Sequence, residues 1–377
     1  VKILFSSLPA HGHTYPLLPL AIAAKAAGHE ITYATWETFH PALAALGFET
    51  IKAGGDMTGS FTEVIAGREI KDLTPEEMSG IAMRVFGDIL PRAAIADLDA
   101  VFERRRFDLV VHEAAAIGAA IAAKRAGIPS VGHGVSKPVA LDTMPALKNR
   151  LPTLAAEFGV EFDERVGFGV PYLDIYPESL QEPEQFAPNR VPLRPVAFAE
   201  PGELPSIATS GEGRLIYLTL GTAFGNPQVL RAAIDGLAAT GNRVVVATGP
   251  TVEVAALGEP PANVTVLPWV AQAELLPHVD LVVHHGGSGT TLGSAAAGVK
   301  QLFIPQGADQ FTNAETFTNA GAARQLLGAD VTPEALTEAA TELLADDGVT
   351  KVVATLAEEI AAMPGPEEIA KRLPEWA

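Results

Sequence analysis

DLVVHHGGSG, residues 280–289, is the stretch on which the fold turns. An aspartate opens it, an apolar run follows with no polar alternation, and a histidine pair leads into a glycine turn. A continuous apolar run of this length reads as a parallel strand buried on both faces, and the glycines and hydroxyl residues after it read as the start of a helix. The same pattern stands at 108–118, DLVVHEAAAIG, where Glu113 holds the position that His285 holds in the later copy. Downstream, AGIP (126–129) and AGVK (297–300) echo one another with a one-residue difference in spacing. An internal repeat accounts for this echo, and so does convergence of buried parallel strands on Val/Leu-rich runs. Both accounts give two strand–turn–helix units.

Further β-rich runs extend each unit. VKILFSS (1–7), ITYAT (31–35), ETIKAG (49–54) and SVGHG (130–134) belong with the first, separated by Ala/Leu-rich helical stretches such as 16–28 and 113–127 that end near glycine. RLIYLTL (214–220), RVVVAT (243–248), NVTVLPW (263–269) and QLFIP (301–305) belong with the second. Alternating strand and helix predicts α/β domains with parallel sheets. Between them, Pro177, Pro183, Pro188, Pro192, Pro195, Pro201 and Pro205 predict a linker without regular structure. The expected division is 1–200, 201–358 and a tail helix within 359–377 that packs back on the N-terminal domain.

The composition agrees with two cores: 377 residues, 48% of them hydrophobic. Lys+Arg 26 against Asp+Glu 45 leaves a net charge of −19, which argues against nucleic acid and anionic membrane surfaces as partners. The absence of cysteine removes disulfides, thiolate nucleophiles and Cys-ligated metals. No apolar run reaches the roughly 18 residues of a membrane span. The N-terminal segment, with His, Gly and Pro after a short apolar run, makes a poor signal peptide, and Val1 in place of Met suggests processing or an edited start. A cytoplasmic protein is the expectation.

The chemistry concentrates in HHGGSGTTLGSAAAG, 284–298. Glycines let a backbone approach a ligand closely, and a helix N-terminus offers unpaired N–H groups and a positive dipole end suited to a pyrophosphate. His285 could add a donor. The stretch is neither a Walker A loop nor a GxGxxG fingerprint; the plain alternative is that its glycines only end a strand. Trp269, in PWVAQAELLPH, could stack on a base or be an ordinary core residue. Asp309 and Gln310, after QLFIP, could bind sugar hydroxyls, although Asp309 also fits a helix N-cap.

Trp269, Gln272, His285, Gly287, Thr290, Asp309 and Gln310, in this order and close spacing, resemble the nucleotide-sugar signature of family-1 glycosyltransferases. With HGHTYPLLPLA (11–21) and LTLGTA (218–223), the pattern is most similar to actinobacterial antibiotic-tailoring enzymes of the calicheamicin and macrolide type, and the resemblance runs from residue 1 to the MPGPEEIAKRLP tail. It implies a GT-B fold of two doubly wound, Rossmann-like domains facing each other across a cleft, the first binding the acceptor and the second the nucleotide sugar. It implies that Trp269 stacks on the pyrimidine and Val270 pairs with it through backbone. His285, Gly287, Ser288, Gly289, Thr290 and Thr222 would hold the diphosphate, and Asp309 and Gln310 would read the sugar. Members that use UDP-sugars commonly carry, eight residues after the phosphate-binding histidine, a glutamate that bonds the ribose hydroxyls. Here that residue is Gly293, which favours a dTDP-sugar donor.

In a doubly wound sheet the order reverses between the first and fourth strands, and ligands bind beyond their carboxyl ends. That brings the loop 8–15, with His11 and His13, close to Glu113. A hydroxyl nucleophile needs a base poised near neutral pH, and imidazole oriented by a carboxylate supplies one. The family's catalytic histidine matches His13. Its usual aspartate partner is Glu113 here, longer by one methylene, and the alternative is that Glu113 merely caps the following helix. His11 reads as a loop-packing residue, His112 and His284 as core or surface histidines, and His133 as a weaker cleft candidate. Asp97 and Asp99, the sole Asp-x-Asp, lie in an amphipathic helix, so neither metal nor cofactor is expected.

Met57, Phe61, Phe86, Met144 and Tyr172 are weak candidates for an apolar acceptor wall; each is singly compatible with ordinary core. The expected activity is inverting, metal-independent transfer, of hexosyltransferase type, from a dTDP-sugar to a hydroxyl of a hydrophobic natural-product aglycone. Its partners are then two small molecules, and a homodimer is compatible with it. A GT-B nucleotide-sugar epimerase and a non-catalytic nucleotide-sugar-binding protein are the alternatives; the apolar loops argue against the first and the His13–Glu113 pairing against the second.

Overall fold

A computed structural model describes residues 1–69, 72–138, 145–162, 171–183, 189–198, 200 and 202–377. Met144 lies outside the described residues. The chain forms two α/β units. The first comprises Val1–Ile175, Glu182–Leu193 and Pro364–Ala377; the second comprises Tyr176–Gln181 and Arg194–Met363. These bounds differ from a division at 200/201 and 358/359, because Arg194 onward, the six residues from Tyr176 and the last helical turn before Met363 all pack with the second core.

In the first unit the strands are β1 (Lys2–Ser6), β2 (Glu30–Thr35), β3 (Glu49–Lys52), β4 (Leu109–Glu113), β5 (Ser130–His133), β6 (Tyr172–Asp174) and β7 (Arg190–Pro192), in the parallel order β3-β2-β1-β4-β5-β6-β7. Ile3, Leu4 and Phe5 of β1 and Leu109, Val110 and Val111 of β4 are all fully buried, which explains apolar runs without alternation: helices cover both faces. The proline-rich stretch is not wholly irregular. Arg190–Pro192 adds to β6 as the sheet's edge strand, a position where Pro192 costs no ladder bond to a further neighbour. An ion pair at 2.6 Å between Arg190 and the buried Asp174 ties that edge down.

Two close helix contacts help hold this unit together. Gly118, in the helix Ile117–Arg125, lies so close to the helix Leu90–Phe102 that a Cβ would come within 2.5 Å of the Pro91 carbonyl. At the chain's end, the helix Pro366–Arg372 packs on the helix Leu18–Ala26, burying Ile369 and Ala370, and His29 Nε2 meets the Ala370 carbonyl at 3.2 Å.

The second unit repeats the plan with β8 (Leu215–Thr219), β9 (Arg243–Ala247), β10 (Val264–Leu267), β11 (Leu281–His284), β12 (Lys300–Phe303) and β13 (Ala323–Gln325), in the order β10-β9-β8-β11-β12-β13. β1 against β4 and β8 against β11 are therefore equivalent places, each where the strand order reverses. The echo between 108–118 and 280–289 is thus an echo of position: Glu113 and His285 stand at the two reversal points. Among the described residues, no helix is long and apolar enough to cross a membrane.

Candidate functional site

In the first unit, the candidate site is built on the loop after β1. Buried hydroxyls brace it: Ser7 and Thr14 share a hydrogen bond of 3.0 Å, Tyr33 donates to Ser7 at 3.1 Å, and Thr14 donates to the Leu8 carbonyl at 3.1 Å. The short helix His11–Thr14 then presents His13, whose Nδ1 lies 3.2 Å from Glu113 Oε1. The same Oε1 accepts from the Leu8 N–H at 3.3 Å, and Oε2 accepts from the Ala115 N–H at 2.6 Å. Glu113 is completely buried, whereas the His13 side chain is 27% exposed. A carboxylate taking N–H donors on both oxygens makes Nδ1 the protonated ring nitrogen, which leaves Nε2 without a proton. Glu113 does not cap the following helix, whose N-cap is Ala116 with no side-chain bond; it orients an imidazole.

The neighbouring histidines are occupied otherwise. His11 packs edge-on between Tyr15 and Phe39, with centroids 5.0 and 5.2 Å away. His112 is buried with Nδ1 on the Glu113 carbonyl at 3.1 Å, and burial lowers its pKa. His133 is fully buried rather than open to a cleft. Its Nδ1 meets the Gly134 carbonyl at 2.7 Å, and burial pushes its pKa down to about 4.

Beside the His13 loop, Met57, Phe61 and Phe86 come together against buried Leu8, Val85 and Leu90, the two phenyl rings edge-on at 5.5 Å. Tyr172 does not join them; its hydroxyl closes over Gly134, where a Cβ would approach it to 2.8 Å. The two aspartates at 97 and 99 are engaged structurally, Asp97 accepting from the Gly54 N–H at 3.1 Å and Asp99 pairing with Arg125.

In the second unit, a further candidate site surrounds the loop after β11. The helix Ser288–Ala296 begins with Gly287 as N-cap and no side-chain cap, so its first-turn N–H groups are left for another acceptor. At Gly289 a Cβ would meet nothing within 4 Å, so the helix start is open on that side. The His285 ring is held between two glycines: a Cβ on Gly221 or on Gly287 would lie 2.4 Å from its Nε2. Burial pushes this histidine down to about 4, with the Thr219 backbone pulling weakly the other way, so it is a neutral group with a single N–H. Its Nδ1 finds no hydrogen-bond partner among the described residues.

Other predicted residues sort as follows. Trp269 is 41% exposed, which removes the core reading, and Val270 beside it is buried. Thr222 stands in the turn after β8, and Thr290 donates to Gln272 Oε1 at 3.0 Å. Asp309 occupies the N-cap position of the helix Gln310–Asn319 but does not cap it; its Oδ2 accepts instead from the Ser288 hydroxyl at 3.1 Å. Gln310 turns its Oε1 back onto the N–H groups of Gln306 and Gly307, at 2.8 and 3.1 Å. Gly293 is packed: a Cβ there would approach Ala197 to 3.2 Å and Leu276 to 3.3 Å, so Ala197 stands where a longer side chain would need room. Two residues escaped the sequence reading. Asn313 was visible only as part of QGADQFTNA, and Tyr176 carried no signal at all, yet Asn313 bonds into the loop after β11 and Tyr176 bonds to Asn313.

Comparison with known proteins gives a consistent result. Residues 231–376 match the family model described as Erythromycin biosynthesis protein CIII-like, C-terminal domain. The chain is 32% identical to the L-demethylnoviosyl transferase of Streptomyces niveus over 99% of this chain and 97% of that protein. It is 29% identical to the elloramycin glycosyltransferase ElmGT of Streptomyces olivaceus, again over 99% and 97%. Among solved structures, the glycosyltransferase SsfS6 of Streptomyces sp. SF2575, complexed with thymidine diphosphate, superposes with a TM-score of 0.80 at 25% identity, covering 99% of each chain.

Proposed function

The chain belongs to the antibiotic-tailoring family-1 glycosyltransferases, with the GT-B pair of Rossmann-like domains, and we propose that it transfers a deoxysugar from a dTDP-sugar to a hydroxyl of a hydrophobic aglycone, with inversion and without metal or cofactor, in the cytoplasm. The observation that carries this reading is the His13–Glu113 contact at 3.2 Å. His13 Nε2 takes the proton of the acceptor hydroxyl as its oxygen attacks the anomeric carbon. The nucleoside diphosphate leaves from the opposite face, and the configuration inverts in this single displacement. Glu113 holds the Nδ1 proton and supports the imidazolium that forms, a contribution of roughly 10²–10⁴-fold in rate.

The departing diphosphate carries negative charge that an acidic protein must meet locally. The uncapped helix start at Ser288–Thr290, the open Gly289 and the neutral His285 supply N–H donors for it, with Thr222 beside them. The Ser288 hydroxyl already donates to Asp309, so what Ser288 offers the ligand is its N–H. Trp269, exposed, stacks on the base, with Val270 pairing through its backbone. Asp309 and the Gln310 amide nitrogen read the sugar. Gly293, closed off by Ala197, leaves no place for a carboxylate on the ribose, and the thymidine diphosphate complex of SsfS6 points to the same donor class. Met57, Phe61 and Phe86 form the apolar wall for the aglycone.

The test is nucleoside diphosphate release from dTDP- and UDP-sugars, with and without a panel of aglycones. Acceptor-dependent release from dTDP-sugars is expected, and loss of it in His13→Ala. Release independent of any acceptor from every donor refutes the transferase, preference for UDP-sugars refutes the donor assignment, and a fully active His13→Ala refutes the mechanism.

A further inference from the structure

Gly286 is the middle residue of the loop between β11 and the helix Ser288–Ala296, with φ +96. A Cβ there would come within 2.8 Å of the Gln310 carbonyl and 3.2 Å of the Phe303 ring, so this backbone lies directly on the start of the helix Gln310–Asn319. Both polar groups of the residue are gripped. Its N–H donates to His284 Nδ1 at 3.2 Å, which makes Nδ1 the bare nitrogen; Nε2 then carries the proton and donates to Gln301 Oε1 at 2.9 Å. Its carbonyl accepts from Asn313 Nδ2 at 2.8 Å.

Asn313 does more than hold one carbonyl. The same Nδ2 donates to the Ser288 hydroxyl oxygen at 3.0 Å, and that hydroxyl passes its own proton to Asp309 Oδ2. The Tyr176 hydroxyl donates to Asn313 Oδ1 at 3.0 Å, which settles the direction in which the amide faces. Asn313 and Tyr176 are 1% and 0% exposed, with the Tyr176 ring edge-on to Phe317. A buried amide is expensive unless every polar atom is used. Here each is used on a residue of the loop or on the group that aims it, which an apolar side chain of the same size would not do.

We propose that Asn313, aimed by Tyr176, is a positioning residue for the diphosphate: it locks Gly286 and Ser288 so that the N–H groups at the helix start converge on the phosphates while Asp309 stays in register beside them. This rests on the proposed placement of the diphosphate at that loop. Asn313 touches no ligand itself. Its effect is confined to the diphosphate end of the nucleotide, because the amide bonds to the loop and not to Trp269 or Val270.

The test compares thymidine diphosphate, titrated by calorimetry, with thymidine, measured by ligand-observed NMR, on the wild-type chain, Asn313→Ala and Tyr176→Phe. Losing the bonds to Gly286 and Ser288 weakens thymidine diphosphate about tenfold in Asn313→Ala, and losing the aiming hydroxyl weakens it about threefold in Tyr176→Phe. Thymidine binding stays within about twofold in both. An unchanged diphosphate affinity in the variants overturns the inference alone, as does an equal loss for thymidine, which would mark a purely structural role. A wild-type chain that binds no nucleoside diphosphate removes the proposed function and the inference together. Should Asn313→Ala fail to fold, Tyr176→Phe, which keeps its ring against Phe317, decides the matter by the same criterion.

Discussion

Replacing Glu113 with glutamine attacks the dyad through its partner and leaves the shape of the side chain intact. The carboxylate now serves Ala115 N–H at 2.6 Å through one oxygen, and His13 Nδ1 at 3.2 Å and Leu8 N–H at 3.3 Å through the other. Glutamine has a single oxygen, and the shortest bond keeps it, so the new NH₂ faces two donors. His13 must then move its proton from Nδ1 to Nε2 to accept from the amide, or swing away. In the first case Nε2 carries the proton and in the second it leaves its place, so in neither can it serve as the proposed base. The whole general-base contribution of the proposed mechanism is at stake, roughly 10²–10⁴-fold; a loss of about 10³ in kcat corresponds to about 4 kcal/mol on the barrier. The Leu8 N–H also loses its acceptor, which lowers stability by about 1–3 kcal/mol and registers independently as a lower Tm. Glu113→Asp keeps the charge but withdraws the oxygens by about 1.5 Å, one carbon–carbon bond, and should fall between wild type and Glu113→Gln. The assay is the initial rate of nucleoside diphosphate release at saturating donor and acceptor, with KM for the donor measured in parallel. A Glu113→Gln enzyme with kcat within about fivefold of wild type refutes the tautomer argument. A loss carried by donor KM alone does the same.

Two further outcomes follow from the same geometry. Gly221→Ala places a methyl 2.4 Å from His285 Nε2 at a backbone φ of +75, and Gly287 on the other side blocks retreat of the ring; thymidine diphosphate affinity measured by calorimetry should fall at least about tenfold, and unchanged affinity would show that His285 plays no part. Acidification tests the buried histidines: His133 and His285 are pushed down to about 4 and His284 to about 3, each chiefly because burial penalises the cation. In the unfolded chain they titrate near 6.5, so between there and about 4 the unfolded state binds more protons, and stability that is full above pH 6.5 declines as pH falls. Thermal melts should give a plateau from pH 8 to about 6.5 and a falling Tm below it, and a Tm that rises from pH 6.5 to 5 would contradict these burials.

Much of the candidate site's geometry was legible because its signals are local or topological. The uninterrupted runs ending at Glu113 and His285 are what strands buried on both faces must look like, and the reversal of strand order then places the loop of His13 beside Glu113 without any knowledge of side-chain contacts. Other readings failed for equally physical reasons. Arg190–Pro192 carries no strand signal in three residues with a proline, yet an edge position asks little of it. Asp309 has the composition of an N-cap, but a cap depends on backbone angles, and its φ −70, ψ −4 aims the carboxylate elsewhere. His133 sits at a strand end like Glu113, but the chain folds over it and buries it.

The sequence alone determined two parallel α/β units, their reversal points, and which residue types stand at the strand ends, because hydrophobic period and turn chemistry act over a few residues. The tertiary structure alone decided how the polar side chains are used. Glu113 meets His13 across 100 residues, and Tyr176 meets Asn313 across 137. Whether a buried polar atom meets an imidazole, an amide or a backbone group depends on which partner lies within about 3 Å once each sheet has formed, and no local pattern encodes that distance.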